Sequence, residues 1–241
     1  MTKTYVVGDI HGGVKALKDL LEQVPYTAQD LFVFLGDYVD GWNDALDTLR
    51  FLMAFKAKQP AVFLWGNHDE LLYNYLIKKQ APKLWLEHGG AVTKSSFDGL
   101  LKEEITPFIA FLESLDHYYI DQDNSLYVHA GFTNMHGPAN EFYQHLVAWD
   151  RTLWELACAT HTKANSDLFK PTRLDLFNEI YIGHTPVTRI GKTTPTRRRN
   201  VWNIDTGAAF KGPLTILEVQ SKAFWQSQPV YSYYPNEKGR N

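Results

Sequence analysis

The sequence predicts an α/β protein in which two mixed β-sheets pack face to face, with helices on the outside. Three observations lead there. Residues 1–80 alternate apolar strands with amphipathic helices. From Tyr118 onward the pattern changes to short strands. No Pro/Gly/Ser-rich stretch, repeat or low-complexity segment marks a linker between these two halves, so the expectation is one domain spanning residues 1–241.

In chain order, strand Tyr5–Val7 leads to a helix near Val14–Gln23, where Val14, Leu17, Leu20, Leu21 and Val24 recur at helical spacing. Strand Leu31–Leu35 leads to a helix near Asp44–Lys56 with a broad apolar face, which Pro60 helps to end. Strand Ala61–Leu64 leads to a helix near Glu70–Lys79. This β-α-β-α-β-α order implies parallel strands joined by right-handed crossovers. Sites in such sheets lie beyond the carboxyl ends of the strands. Residues 82–115 read as a helical insert, with Gly89-Gly90 expected to end a helix. Strands follow at Tyr118–Asp121 and Leu126–His129, after the turn residues Asp123-Asn124. A helix is expected over Asn140–Ala157 and a polar loop over Asn165–Lys170. The last strands are Ile180–Ile182, Val201–Ile204 and Leu214–Val219.

Bulk properties narrow the function classes. With 44% hydrophobic residues the chain can build a full core, and it has no apolar run near the roughly 18 residues of a membrane helix. A formal charge of −3 gives no reason to expect nucleic acid or a membrane surface as partner. Cys158 is the only cysteine, so no intrachain disulfide forms. The N-terminus enters a strand without a signal-peptide pattern, so a cytoplasmic location is expected. Arg197-Arg198-Arg199 is the one dense basic run. It reads first as a solvated loop and second as a rim for anionic substrates.

Chemistry concentrates in three short segments, each at the end of an apolar strand: Gly8-Asp9-Ile10-His11, Gly36-Asp37-Tyr38-Val39-Asp40 and Gly66-Asn67-His68-Asp69. In each a glycine directly precedes the first polar residue. Asp, Asn and His are ligands for hard or borderline divalent cations. Singly, each segment is an ordinary turn or cap. Three in order, followed by His129-Ala130-Gly131, Gly183-His184-Thr185-Pro186 and Asn203-Ile204-Asp205-Thr206-Gly207, are not.

Across nearly its whole length the sequence resembles the calcineurin-like metallophosphoesterases, in the branch containing Ser/Thr protein phosphatases and bacterial diadenosine tetraphosphatases. The resemblance implies the metallophosphoesterase fold and a two-metal site. One ion would take Asp9, His11 and Asp37. The other would share Asp37 and add Asn67, His129 and His184. A bridging carboxylate suits ions about 3.5–4 Å apart. The oxygen and imidazole donor set suits Mn²⁺, which is expected, or Fe or Zn. The implied reaction is attack on phosphorus by a metal-bridging hydroxide, with His68 as proton donor to the leaving group and Asp40 orienting it. Asp205 is expected to support the site from behind the ligands. The leading expectation is a phosphomonoesterase acting on phosphoserine or phosphothreonine in proteins, with a broad substrate range. The alternative is a dinucleoside polyphosphate hydrolase. A non-catalytic phospho-binding module is the remaining class. The remaining histidines, at 88, 117, 136, 145 and 161, match no motif and read as surface or structural.

The match departs at one point. The family's second motif usually ends Asp-Arg-Gly, and its arginine grips the phosphate, whereas this chain has Asp40-Gly41-Trp42. Glycine cannot supply the bidentate fork of a guanidinium. Arg151, after Trp149-Asp150, resembles the family's second phosphate arginine. Arg173, Arg189 and Arg197–Arg199 are candidates to replace the first one. If none does, the preferred substrate differs. Trp42 reads as a packing residue rather than a stacking surface for a leaving group.

Overall fold

The computed structural model describes residues 2–161 and 171–240; the loop expected at Asn165–Lys170 lies outside them. The first half comprises β1 (Thr4–Val7), α1 (Val14–Gln23), β2 (Leu31–Phe34), α2 (Ala45–Lys56), β3 (Ala61–Phe63) and α3 (Asn67–Lys78). The insert follows as α4 (Lys83–Trp85), α5 (Ala91–Phe97) and α6 (Lys102–Glu113). The second half comprises β4 (Tyr118–Ile120), β5 (Ser125–Val128), α7 (Thr152–His161), α8 (Thr172–Asp175), β6 (Glu179–Ile182), β7 (Thr196–Arg198), β8 (Val201–Asn203), β9 (Pro213–Glu218) and β10 (Phe224–Pro229).

The strands form two five-stranded mixed sheets, ordered β10-β9-β1-β2-β3 and β4-β5-β6-β8-β7. In the first, β1, β2 and β3 are parallel and β9 joins β1 antiparallel. In the second, β5, β6 and β8 are parallel, with β4 and β7 antiparallel at the edges.

Side-chain alternation sets the layers. Val6, Val33 and Leu217 of one sheet meet Tyr127 and Tyr181 of the other in a buried inter-sheet core. Tyr127 and Tyr181 stack with centroids 5.0 Å apart. The opposite pleat carries Tyr5, Val7, Phe32 and Phe34 toward Leu17, Leu20, Leu49 and Leu52 on α1 and α2. On the other sheet Leu126, Val128, Ile180 and Ile182 pack under Leu153, Trp154 and Leu174 of α7 and α8. Each such side chain contributes about 1.5–3 kcal/mol by leaving water. The expected order of helices, sheet, sheet and helices is therefore the observed one.

Some expectations fail for identifiable reasons. The helix expected over Asn140–Ala157 is instead two 3₁₀ turns, Pro138–Asn140 and Gln144–Ala148, followed by α7. Asp150 interrupts it: its carboxylate accepts the backbone N–H of Thr152 at 3.0 Å and of Leu153 at 3.0 Å, which starts a new helix. Gly89 does not end the insert's helix but kinks it, with φ +99°, and helical backbone resumes at Gly90. The sequence pattern predicts neither β7 nor β10. The first two arginines of the basic run lie in edge strand β7, not in a loop.

Candidate dinuclear metal centre

All six parallel strands end at the same place. Asp9, Asp37 and Asn67 follow β1, β2 and β3, and His129, His184 and Asp205 follow β5, β6 and β8, each within four residues of the strand's last. The carboxyl ends of both sheets thus converge on one buried cluster.

The glycines that precede the ligands make this convergence possible. A Cβ on Gly66 would lie 2.1 Å from the backbone nitrogen of Asp37, and one on Gly183 would lie 2.0 Å from Asp9 Oδ1. Four of the site's residues have left-handed backbone: His11 (φ 52°), Asp37 (54°), Asp40 (68°) and His184 (66°). Such conformations cost about 1–3 kcal/mol each and persist where surrounding structure enforces them. Here Asp69 contributes that support. Its Oδ2 accepts the N–H groups of Asp37 (2.8 Å) and Gly66 (3.0 Å), and its Oδ1 accepts that of Tyr38 (2.9 Å).

Asp37 lies at the centre. Its Oδ2 is 3.5 Å from His11 Nε2 and 3.4 Å from His129 Nε2. Asp9 Oδ2 is 3.8 Å from His11 Nε2. Asn67 Oδ1 is 3.3 Å from His129 Nε2 and 2.9 Å from His184 Nδ1. His11 Nδ1 donates to the carbonyls of Val39 and Asp40, and His129 Nδ1 donates to that of Leu35 at 2.7 Å. Those bonds set the tautomer and aim a lone pair from each Nε2 at the Asp37 carboxylate. Two lone pairs facing one buried carboxylate at 3.4–3.5 Å repel unless a proton or a cation lies between them. Asp37 belongs to two groups of possible ligands, one with His11 and His68 and one with His129 and His184, and within each the donor atoms lie within 4.8 Å of one another. The donor set fits two borderline cations sharing Asp37.

Charge follows the same geometry. Burial opposes ionisation of Asp37, but His129 and His68 beside it hold its carboxyl well below the usual range. Burial also works against a charge on His129, and Asp37 outweighs it, so His129 is pushed up to about 10. Burial holds His11 and His184 well below the usual imidazole range. Burial raises Asp9, with Asp205 adding to the effect. Burial likewise raises Asp205 to about 6, against a bond from the Gly207 N–H to its Oδ1 at 2.9 Å.

Beside the cluster, His68 Nδ1 meets Asp40 Oδ2 at 2.6 Å. Trp85 Nε1 donates to the same oxygen at 2.6 Å, and the Asp40 N–H donates to Thr93 Oγ1 at 3.0 Å. His11, Asp37, Asn67, His68, His184 and Asp205 line a cleft of about 240 Å³. Trp85, Trp149, Arg151, Arg189 and Arg240 also line it. Arg151 Nε donates to His184 Nε2 at 3.2 Å. Of the arginines named from sequence as substitutes, only Arg189 lines the cleft. Arg173 donates to the Phe132 carbonyl, and Arg197 and Arg199 are engaged with each other and with Asp175. Trp42 is fully buried, as expected of a packing residue. His88 lines the cleft, although no motif marks it. Asp69 closes the third sequence segment without a role predicted for it, and the sequence singles out neither Thr93 nor Arg240. An acid three residues after a glycine at a helix start marks Asp69; no local pattern marks the others.

A family model of calcineurin-like phosphoesterases matches residues 2–206. The chain belongs to that family. Its curated relatives include a bis(5'-nucleosyl)-tetraphosphatase PrpE [asymmetrical] of Halalkalibacterium halodurans, 27% identical over 98% of this chain and 97% of the relative. The protein of the same name from Oceanobacillus iheyensis is 25% identical over 92% and 90%. Among solved structures, a candidate diadenosine tetraphosphatase shares the fold at TM-score 0.63 and 19% identity, covering 93% of this chain and 92% of that one. A protein serine/threonine phosphatase from Saccharomyces cerevisiae shares it at TM-score 0.58 and 13% identity, covering 91% and 73%. As a member of this family the chain is a hydrolytic phosphoesterase of the dinuclear-metal class. Among the described residues no helix is long and apolar enough to cross a membrane.

Proposed function

We propose that this phosphoesterase hydrolyses dinucleoside polyphosphates, with diadenosine tetraphosphate as the representative substrate. The observation that carries this reading is the cleft wall. Three arginines, Arg151, Arg189 and Arg240, line the same cleft as His11, Asp37, Asn67 and His184, together with the two indoles Trp85 and Trp149. A single phosphomonoester needs fewer cations; a polyphosphate bridge ending in nucleobases uses all of them. Trp149 is 40% exposed and its Nε1 is held by Glu70 Oε2 at 2.6 Å, so its ring can accept a base. The names of the relatives matched over the whole chain support the same substrate. The protein Ser/Thr phosphatase expected first from sequence has support at the level of fold alone.

In this reading Asp9, His11 and Asp37 hold one ion, and Asp37, Asn67, His129 and His184 hold the other, with Mn²⁺ as the proposed occupant. When bound, such ions lower the pKa of water toward neutrality and polarise the phosphoryl oxygens. The chain's own residues do the rest. His68, fixed at Nδ1 by Asp40, offers Nε2 to the leaving oxygen as proton donor. The Asp205 carbonyl accepts the Val187 N–H at 2.9 Å, which ties the loop after His184 to the end of β8. Arg151 can donate to His184 Nε2 only while that nitrogen is unprotonated. When His184 Nδ1 serves as a ligand, Nε2 carries the proton and Arg151 is free to turn to an anion.

A Mn²⁺-supplemented substrate panel tests the proposal. It compares diadenosine tetraphosphate with phosphoserine, phosphothreonine and phosphotyrosine peptides, p-nitrophenyl phosphate and a bis-ester. The dinucleotide is expected to have the highest kcat/KM. Faster turnover of the phosphoserine or phosphothreonine peptides would return the assignment to a protein phosphatase.

A further inference from the structure

Gly41 occupies the position of the family's first phosphate arginine, and the structure shows what occupies the space an arginine there would need. Its backbone has φ +114°, and a Cβ on it would lie 3.2 Å from the His11 carbonyl oxygen and 3.5 Å from Arg240 Cγ. A Cβ on Gly89, whose carbonyl accepts the Gly41 N–H at 3.3 Å, would lie 3.1 Å from the same Arg240 Cγ. The stem of Arg240 therefore passes over a floor of two glycines. Its guanidinium carbon lies 5.3 Å from the centre of the Phe210 ring, a cation–π distance. Arg240 lines the cleft with His11, His68 and Asp205, and its charge is felt at both His11 and Asp205. Arg240 Nε is buried and has no hydrogen-bond partner among the described residues. A buried charged donor without an acceptor is costly, and an anion in the cleft would satisfy it.

The segment carrying this arginine is seated by the residue next to Gly41. Trp42 stacks on Tyr234 with centroids 5.3 Å apart, and its Nε1 donates to the Ala208 carbonyl at 2.8 Å. Gly239 lies so close to Trp42 that a Cβ would be 2.7 Å from the indole. The Asn43 N–H donates to Glu237 Oε2 at 2.9 Å, and the Arg240 N–H donates to the Ala209 carbonyl at 2.9 Å. One substitution clears the space and its neighbour builds the seat.

We infer that Arg240 is the phosphate-gripping guanidinium of this chain, delivered from outside the region the family model matches into the space that Gly41 leaves open. It rests on the reading that a phosphate group binds beside the metal cluster, not on which phosphoester carries it. It also predicts that Gly41→Arg does not improve the enzyme, because the new side chain would be strained at φ +114° and would meet Arg240.

The test is titration of Mn²⁺-loaded protein with inorganic phosphate by calorimetry. Arg240→Ala is expected to weaken phosphate binding roughly 10- to 100-fold, the usual size of lost charge-assisted hydrogen bonds, with both metals retained. Arg240→Lys recovers part of the loss, since it keeps the charge without the fork. Methylguanidinium added to Arg240→Ala restores part of the affinity, a response that a merely structural anchor would not give. Arg240→Gln, which keeps the stem over the two glycines, provides the measurement should Arg240→Ala unfold. Phosphate affinity within about twofold of the unmodified protein in both neutral variants would overturn the inference. Failure of the unmodified enzyme to cleave the dinucleotide, with the loss in Arg240→Ala intact, would sink the substrate reading alone.

Discussion

His68 and Asp40 are joined by a 2.6 Å contact between Nδ1 and Oδ2, with 4% and 0% of their surfaces exposed. The contact fixes the ring, so Nε2 is the nitrogen free to face the reacting bond. His68→Asn keeps the size and polarity of the side chain and removes the transferable proton. The expected result is a fall in kcat of roughly 10²–10⁴ for substrates with poor leaving groups, at unchanged metal content. p-Nitrophenyl phosphate, whose leaving group needs little protonation, should lose much less. Equal losses on both substrates would remove His68 from the donor role.

Trp85 shares Asp40 Oδ2 with His68, and Asp40 Oδ1 has no hydrogen-bond partner among the described residues. The indole N–H is therefore one of two donors to the side chain of a carboxylate with no exposed surface. Trp85→Phe should cost about 1.5–3 kcal/mol, the size of a hydrogen bond to a charged group. For a chain of this length that is a drop in Tm of several degrees. Calorimetry of the variant checks it, and an unchanged Tm would mean the indole contributes by packing alone.

Asp69 accepts three backbone N–H groups from the turns that carry Asp37 and Asn67. Asp69→Asn is nearly isosteric but turns an NH₂ group against at least one of those donors. Metal affinity should fall by roughly 10- to 100-fold, the usual effect of disturbing a group that orients ligands. Competition with a fluorescent chelator measures it. Native affinity would show that the turns hold their shape without this carboxylate.

What could be read from the sequence divides along physical lines. Strands and helices with strong periodicity, such as Val14–Gln23, were anticipated because the signal is local. The candidate ligands Asp9, Asp37, Asn67 and His184 stand out because each directly follows a glycine that close approach demands, as Gly66 and Gly183 illustrate. Strand β10 was missed because Phe224–Pro229 is polar on one face and sits at a sheet edge. The helix expected over Asn140–Ala157 failed because a cap made by Asp150 competes locally with helix continuation. Arg240 was unreadable because its role depends on contacts with residues about 150 to 200 positions earlier, and no short-range pattern encodes that.

The pairing of Asp37 with His129 links metal binding to pH. Burial disfavours the charged His129, but Asp37 at 3.4 Å outweighs it and raises the imidazole from 6.5 to about 10. A raised folded-state pKa contributes stability that is fully present below about 6.5 and is lost as pH climbs through about 10. Protein stripped of metal by a chelator should accordingly lose Tm across that interval. Ligation needs the Nε2 lone pair, so each ion bound there displaces the proton. Its apparent affinity should rise by up to about tenfold per pH unit over the same range. The two trends have opposite sign, and the gap in Tm between loaded and stripped protein should widen as pH increases. Thermal scans of both forms from about pH 6.5 to about pH 9 measure that gap. A gap that stays constant would mean that His129 either carries no proton in the stripped protein or takes no part in holding the ion.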